Sequence, residues 1–86
     1  MNLLLVKIRF VRDFPGLGES IKQERQKSSE TLTELAAKAG ISVNHWLRIE
    51  RSLVKEVPEE TLRGVEKSLG VDFNVSLDRL KEADEN

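Results

Sequence analysis

Apolar and polar positions follow two different periods along this chain. Val6-Lys7-Ile8-Arg9-Phe10 alternates at period two, and Val11, Arg12, Asp13 and Phe14 continue less regularly until Pro15-Gly16. That pattern predicts a half-buried strand. From Leu17 to Lys27 the spacing is helical, with Leu17 and Ile21 forming a thin stripe that the aliphatic part of Arg25 extends. Thr31-Leu32-Thr33-Glu34 then reads as a T-x-x-E capping box, in which hydroxyl and carboxylate each satisfy a backbone N–H at a helix start. Leu35, Ala36 and Ala39 face inward at helical period. Gly40 falls where a left-handed residue stops the helix, Ile41 plugs the turn, and Ser42 caps the next helix. In that helix Trp46 and Ile49 line the inner face, leaving Val43, Asn44, Leu47, Arg48 and Arg51 on the opposite one.

After Arg51 comes a partly apolar connection, Ser52 to Val57. Pro58 opens a further helix, where its missing N–H costs nothing. Glu59 and Glu60 suit the positive end of that helix. Leu62, Val65 and Leu69 form its inward stripe, and Gly70 ends it. Gly64 within it costs about 1 kcal/mol relative to alanine, unless close packing calls for it. Val71 to Val75 alternates once more and predicts a second strand. A lone strand leaves backbone groups unpaired. Either the two strands pair within one chain, which their places on both flanks of the helical unit favour, or one pairs across a dimer. From Ser76 the chain forms one amphipathic turn through Leu77 and Leu80, then frays. The organisation expected is an N-terminal β-strand arm at 1–14, a helical domain at 15–70, a short strand at 71–77 and an acidic flexible tail at 78–86.

Two short helices joined by a tight, glycine-containing turn are the helix-turn-helix plan, whose second helix enters the DNA major groove. Composition sets bounds on that reading. The chain has 86 residues, 38% apolar and 34% charged, which suits one small globular domain and not a disordered chain. With no cysteine there is neither a disulfide nor a thiolate metal site, and the cytoplasm is the compartment expected. The apolar run Leu3 to Val6 is too short for a membrane span or a signal-peptide core, so no membrane partner is expected. Net charge is −1, but it is unevenly spread. Lys7, Arg9 and Arg12 give the first twelve residues +3, whereas five acids and two bases give the last sixteen −3. Between 31 and 56 four bases outweigh three acids, so the side proposed to face DNA need not be acidic. The basic stripe on the first strand reads most simply as a solvated outer face. One histidine, no cysteine and no tyrosine leave no catalytic constellation, and neither an enzyme, a metal nor a cofactor is expected.

With these elements placed, residues 17–71 resemble the Cro/CI-type (XRE) helix-turn-helix family of phage and bacterial repressors. The resemblance covers 55 of 86 residues. It rests on LGESIKQERQKS, TLTELAAKAGIS, VNHWLRIERS and PEETLRGVEKSLGV, and above all on LA-x-x-x-G-I-S followed by I-E-R and L-G-V. It implies a mainly α fold, a compact bundle of four or five helices, here with short N-terminal and C-terminal strands added.

The resemblance also implies a site. Val43, Asn44 and Arg48 fall at base-reading positions. Asn44 has the donor and acceptor to read adenine, Arg48 can read guanine, and Val43 can touch a thymine methyl. Arg51 and Lys55 resemble the family's phosphate contacts, and Lys22, Lys38, Ser42, His45 and Leu47 are further candidates for backbone or flanking contacts read from the residues themselves. Arg25 and Glu50 match an arginine–glutamate pair common in the family, a structural ion pair that no DNA contact requires. Departures from the family pattern are Leu32 where many relatives have glutamine, Glu30 for a leucine, Glu24 at an often apolar position and Ser52 where glycine is frequent. The function implied is a sequence-specific double-stranded DNA-binding transcriptional regulator, a repressor acting as a homodimer. The alternative is an antitoxin or accessory module that uses the same fold to hold a protein partner.

Overall fold

The computed structural model describes residues 7–9 and 14–75, and in 7–9 the backbone only. The expected acidic tail at 78–86, the Leu77–Leu80 turn, the last two residues of the expected 71–77 strand, and Val6 and Phe10 to Asp13 lie outside the described residues. The elements in order are β1 (Lys7–Arg9), α1 (Leu17–Lys27), α2 (Leu32–Ala39), α3 (Val43–Glu50), β2 (Glu56–Pro58) and α4 (Glu59–Leu69). The protein is a small, mainly α bundle.

Local sequence signals set most of the helix ends. Thr31 accepts the Glu34 N–H at 3.1 Å, and Glu34 Oε1 accepts the Thr31 N–H at 3.4 Å and its hydroxyl at 2.9 Å. Both halves of the capping box are therefore formed. Gly40 takes φ 77°, and the N–H groups of Gly40 and Ile41 return to the carbonyls of Ala37 and Ala36. Ser42 Oγ accepts the His45 N–H at 3.0 Å and starts α3. A left-handed residue thus turns the chain sharply between two capped helices.

The core gathers one face from each helix: Leu17 and Ile21 of α1, Leu35 and Ala36 of α2, Trp46 and Ile49 of α3, Leu62 and Val65 of α4, with Val57 and Val75 closing it. α1 packs on α3, and α2 packs most extensively on α4. Two glycines set how closely. A Cβ at Gly18 would stand 2.6 Å from the Glu50 carbonyl oxygen, and one at Gly64 would stand 2.7 Å from that of Ala39. Gly64 is therefore a close-packing position, where any larger side chain would push α4 away from the end of α2.

Strand pairing differs from the sequence expectation. β1 pairs within the chain, antiparallel, but with β2, in the register Lys7↔Pro58, Ile8↔Val57, Arg9↔Glu56. Residues 71–75 form no strand. Their backbone groups are already engaged: Val71 N–H bonds to the Glu66 carbonyl, Phe73 N–H to the Glu66 carboxylate at 2.9 Å and Asn74 N–H to Asp72 Oδ1 at 2.7 Å. Asn74 also turns to φ 59°, which breaks the extended backbone a ladder needs. The alternation at 71–75 instead marks a strap, with Val75 buried and Phe73 half-buried against the core.

Candidate nucleic-acid interface

α3 is held by its inner face. Trp46 and Ile49 are 1% exposed, and Trp46 Nε1 donates to Glu50 Oε2 at 2.6 Å. Arg25 of α1 grips the same carboxylate, with Nε to Oε2 at 2.5 Å and Nη2 to Oε1 at 2.9 Å. The Glu50 hydrogen bonds hold the Arg25 pKa above its ordinary value against the opposing effect of desolvation. Glu50 is the one acid of α3. Because it is buried and neutralised, the outer face of the helix carries no negative charge of its own.

On that outer face Asn44, Arg48 and Arg51 are exposed, and Lys55 is exposed in the loop beyond. Among the described residues, Arg48, Arg51 and Lys55 have no acidic partner within salt-bridge distance. Ser42, Asn44, His45, Arg48 and Val54 line one open groove of about 370 Å³. The groove therefore collects hydroxyl, amide, imidazole and guanidinium groups with a single apolar side chain. That set can donate to and accept from the edges of bases and donate to phosphates.

The remaining candidates lie elsewhere. Val43 and Leu47 are half-buried, and Val43 packs against the core, so its methyls are shared with the interior. Ser42, which does line the groove, spends a lone pair on its cap. Lys22 is exposed on α1, and Lys38 of α2 is tied to Glu30. Neither lines the groove. The departures from the family pattern are each absorbed locally. Leu32 packs against the core, Glu24 pairs with Lys27 at 3.3 Å and Glu30 with Lys38. Ser52 adopts φ 57°, the left-handed backbone that explains a preference for glycine there.

Sequence reasoning missed two residues. Val54 gave no signal, because an apolar residue in a connection reads as incidental. Glu66 is buried and joins α4 to the strap, accepting Arg63 Nη1 at 2.7 Å as well as the Phe73 N–H. Arg63 Nη2 also donates to the Val75 carbonyl at 3.1 Å. The bond to Glu66 raises the Arg63 pKa above its ordinary value against desolvation, with Glu59 adding a smaller push. The i, i+3 spacing of Arg63 and Glu66 was the available hint.

No family model, curated protein or solved structure matches the chain. Among the described residues no helix is long and apolar enough to cross a membrane, and no group of histidine and carboxylate side chains gathers as a metal site.

Proposed function

We propose that this protein is a sequence-specific double-stranded DNA-binding regulator of transcription, a repressor that sets α3 into the major groove. The observation that carries the reading is the charge arrangement of α3. Its one acid is turned inward onto Arg25, while Asn44, Arg48 and Arg51 point outward without acidic partners among the described residues. An outward amide and guanidinium on a short, rigidly capped helix suit base reading. Arg51 and Lys55 suit the flanking phosphates. One such helix reads few base pairs, so the working form is a dimer on two half-sites one helical turn apart. Its place of action is then the cytoplasm, with no cofactor required.

The second reading, a protein-interaction module such as an antitoxin, draws on a different feature. Phe14, Pro15, Leu17, Phe73 and Val75 line a partly apolar depression of about 480 Å³ at the start of α1. Fluorescence anisotropy separates the two readings. A labelled duplex from upstream of the protein's own gene is titrated at two salt concentrations beside a scrambled duplex. Tighter, salt-sensitive binding to the native duplex supports the regulator, since phosphate contacts release counterions. Absence of binding at low salt, with retention of a protein partner on purification, moves the assignment to the interaction module.

A further inference from the structure

The groove beside α3 is lined by four polar side chains and one apolar one, Val54. Its position is fixed by the way α3 ends. Ser52 in the left-handed conformation turns the chain back. The Ser52 N–H then bonds to the Ile49 carbonyl at 3.1 Å, and the Leu53 N–H to the Arg48 carbonyl at 2.9 Å. That paired arrangement of bonds is a Schellman closure. The Arg48 carbonyl thus anchors the very loop that delivers Val54 to the groove lined by the Arg48 side chain. Val54 is half-buried, with part of its surface on the core and part facing the groove. Val43 is also half-buried against the core, but it does not line the groove.

Only one group on the major-groove edge of the four base pairs is apolar, the C5-methyl of thymine. An isolated apolar wall beside an amide and a guanidinium that can read base edges is complementary to that methyl. We infer that Val54 is a specificity-determining residue, contacting the 5-methyl of a thymine next to the base read by Arg48. The inference rests on the DNA-binding reading and adds to it a residue outside the recognition helix.

The test uses the full chain and a duplex selected by it from a random-sequence library. Each thymine of the selected site is replaced singly by deoxyuridine, which deletes only the methyl. One replacement is expected to weaken binding about fourfold, the effect of leaving one methyl group unburied. Val54→Ala should bind the thymine and deoxyuridine duplexes equally. Val54→Asn, which keeps most of the volume but carries no methyl group, should also lose sensitivity, and it guards against a failure of the alanine variant to fold. Val43→Ala should keep the full methyl effect. Enrichment of a site with no methyl-sensitive thymine, or a methyl effect that persists in Val54→Ala and Val54→Asn, overturns the inference alone, and its loss in Val43→Ala would move the contact to that residue. Failure of the library to enrich any sequence overturns the DNA-binding reading and the inference with it.

Discussion

Arg25 of α1 and Glu50 of α3, 25 residues apart in sequence, meet through two side-chain hydrogen bonds, at 2.5 and 2.9 Å. The same carboxylate accepts Trp46 Nε1, so one buried acid ties α1 to the inner face of α3. Removing the cation leaves Glu50, whose side chain is 3% exposed, charged and largely unpaired. Arg25→Met is therefore expected to destabilise the protein by about 3 kcal/mol, the low end for breaking a buried pair, because Arg25 itself keeps some solvent contact. Glu50→Gln, which keeps an acceptor for Trp46 and strands no buried charge, should lose less. Urea unfolding at neutral pH ranks the two. Equal midpoints for Arg25→Met and the parent would mean that the pair contributes nothing to stability.

Helix spacing gives a second prediction, in which two effects oppose each other. Gly64→Ala would gain about 1 kcal/mol of helix propensity in α4. The added Cβ would lie 2.7 Å from the Ala39 carbonyl, and backbone there cannot swing aside as a side chain would. Overpacking of this kind costs about 1–3 kcal/mol, so net destabilisation is expected. Gly18→Ala, against Glu50 and Ile49 carbonyls at 2.6 and 2.8 Å, should be worse, since it disturbs the end of α3 as well. Thermal melts of both variants check this. A higher melting temperature for Gly64→Ala would show that α2 and α4 separate without cost.

These contacts mark where sequence reading stops. The capping box at Thr31, the stop at Gly40, the cap at Ser42 and the inward Trp46 and Ile49 were legible because each is encoded within three or four residues. The meeting of Arg25 with Glu50 was accessible only through the family resemblance, since no local spacing links the two. β2 was not legible: it is three residues long and buries Val57 alone between Glu56 and Pro58, too short to show a period. Residues 71–75 carried a strand's alternation but lacked the free backbone of one, because Glu66 and Arg63 had claimed it. Val54 became visible as part of the candidate site only once the loop was folded back along α3.

Ser52 offers a stabilising change. A residue with a Cβ in the left-handed region pays roughly 1–2 kcal/mol that glycine does not, less about 0.5–1 kcal/mol for the greater freedom glycine loses on folding. Ser52→Gly is thus expected to raise stability by about 0.5–1 kcal/mol, and Ser52→Val, β-branched at φ 57°, to lower it. The urea midpoints should fall in the order glycine, serine, valine. Any other order would mean that the Ser52 side chain makes a compensating contact in the folded state.

The outer face of α3 makes the prediction that bears most directly on function, and it separates base reading from phosphate binding. Asn44 and Arg48 are exposed and make no side-chain hydrogen bond among the described residues, so alanine at either should leave the unfolding midpoint nearly unchanged. On a selected duplex each should lose about 1–3 kcal/mol of discrimination between the preferred and substituted base pair. Arg51→Ala and Lys55→Ala should behave differently. They should weaken binding to preferred and scrambled duplexes alike, and each should reduce the slope of log affinity against log salt by about one. The contrast matters more than either loss alone, because a nonspecific polyanion site would show the salt effect at Arg48, Arg51 and Lys55 alike and the discrimination effect at none. If Asn44→Ala and Arg48→Ala keep the parental site preference while Arg51→Ala and Lys55→Ala lose affinity, α3 lies along the DNA backbone and does not read the groove.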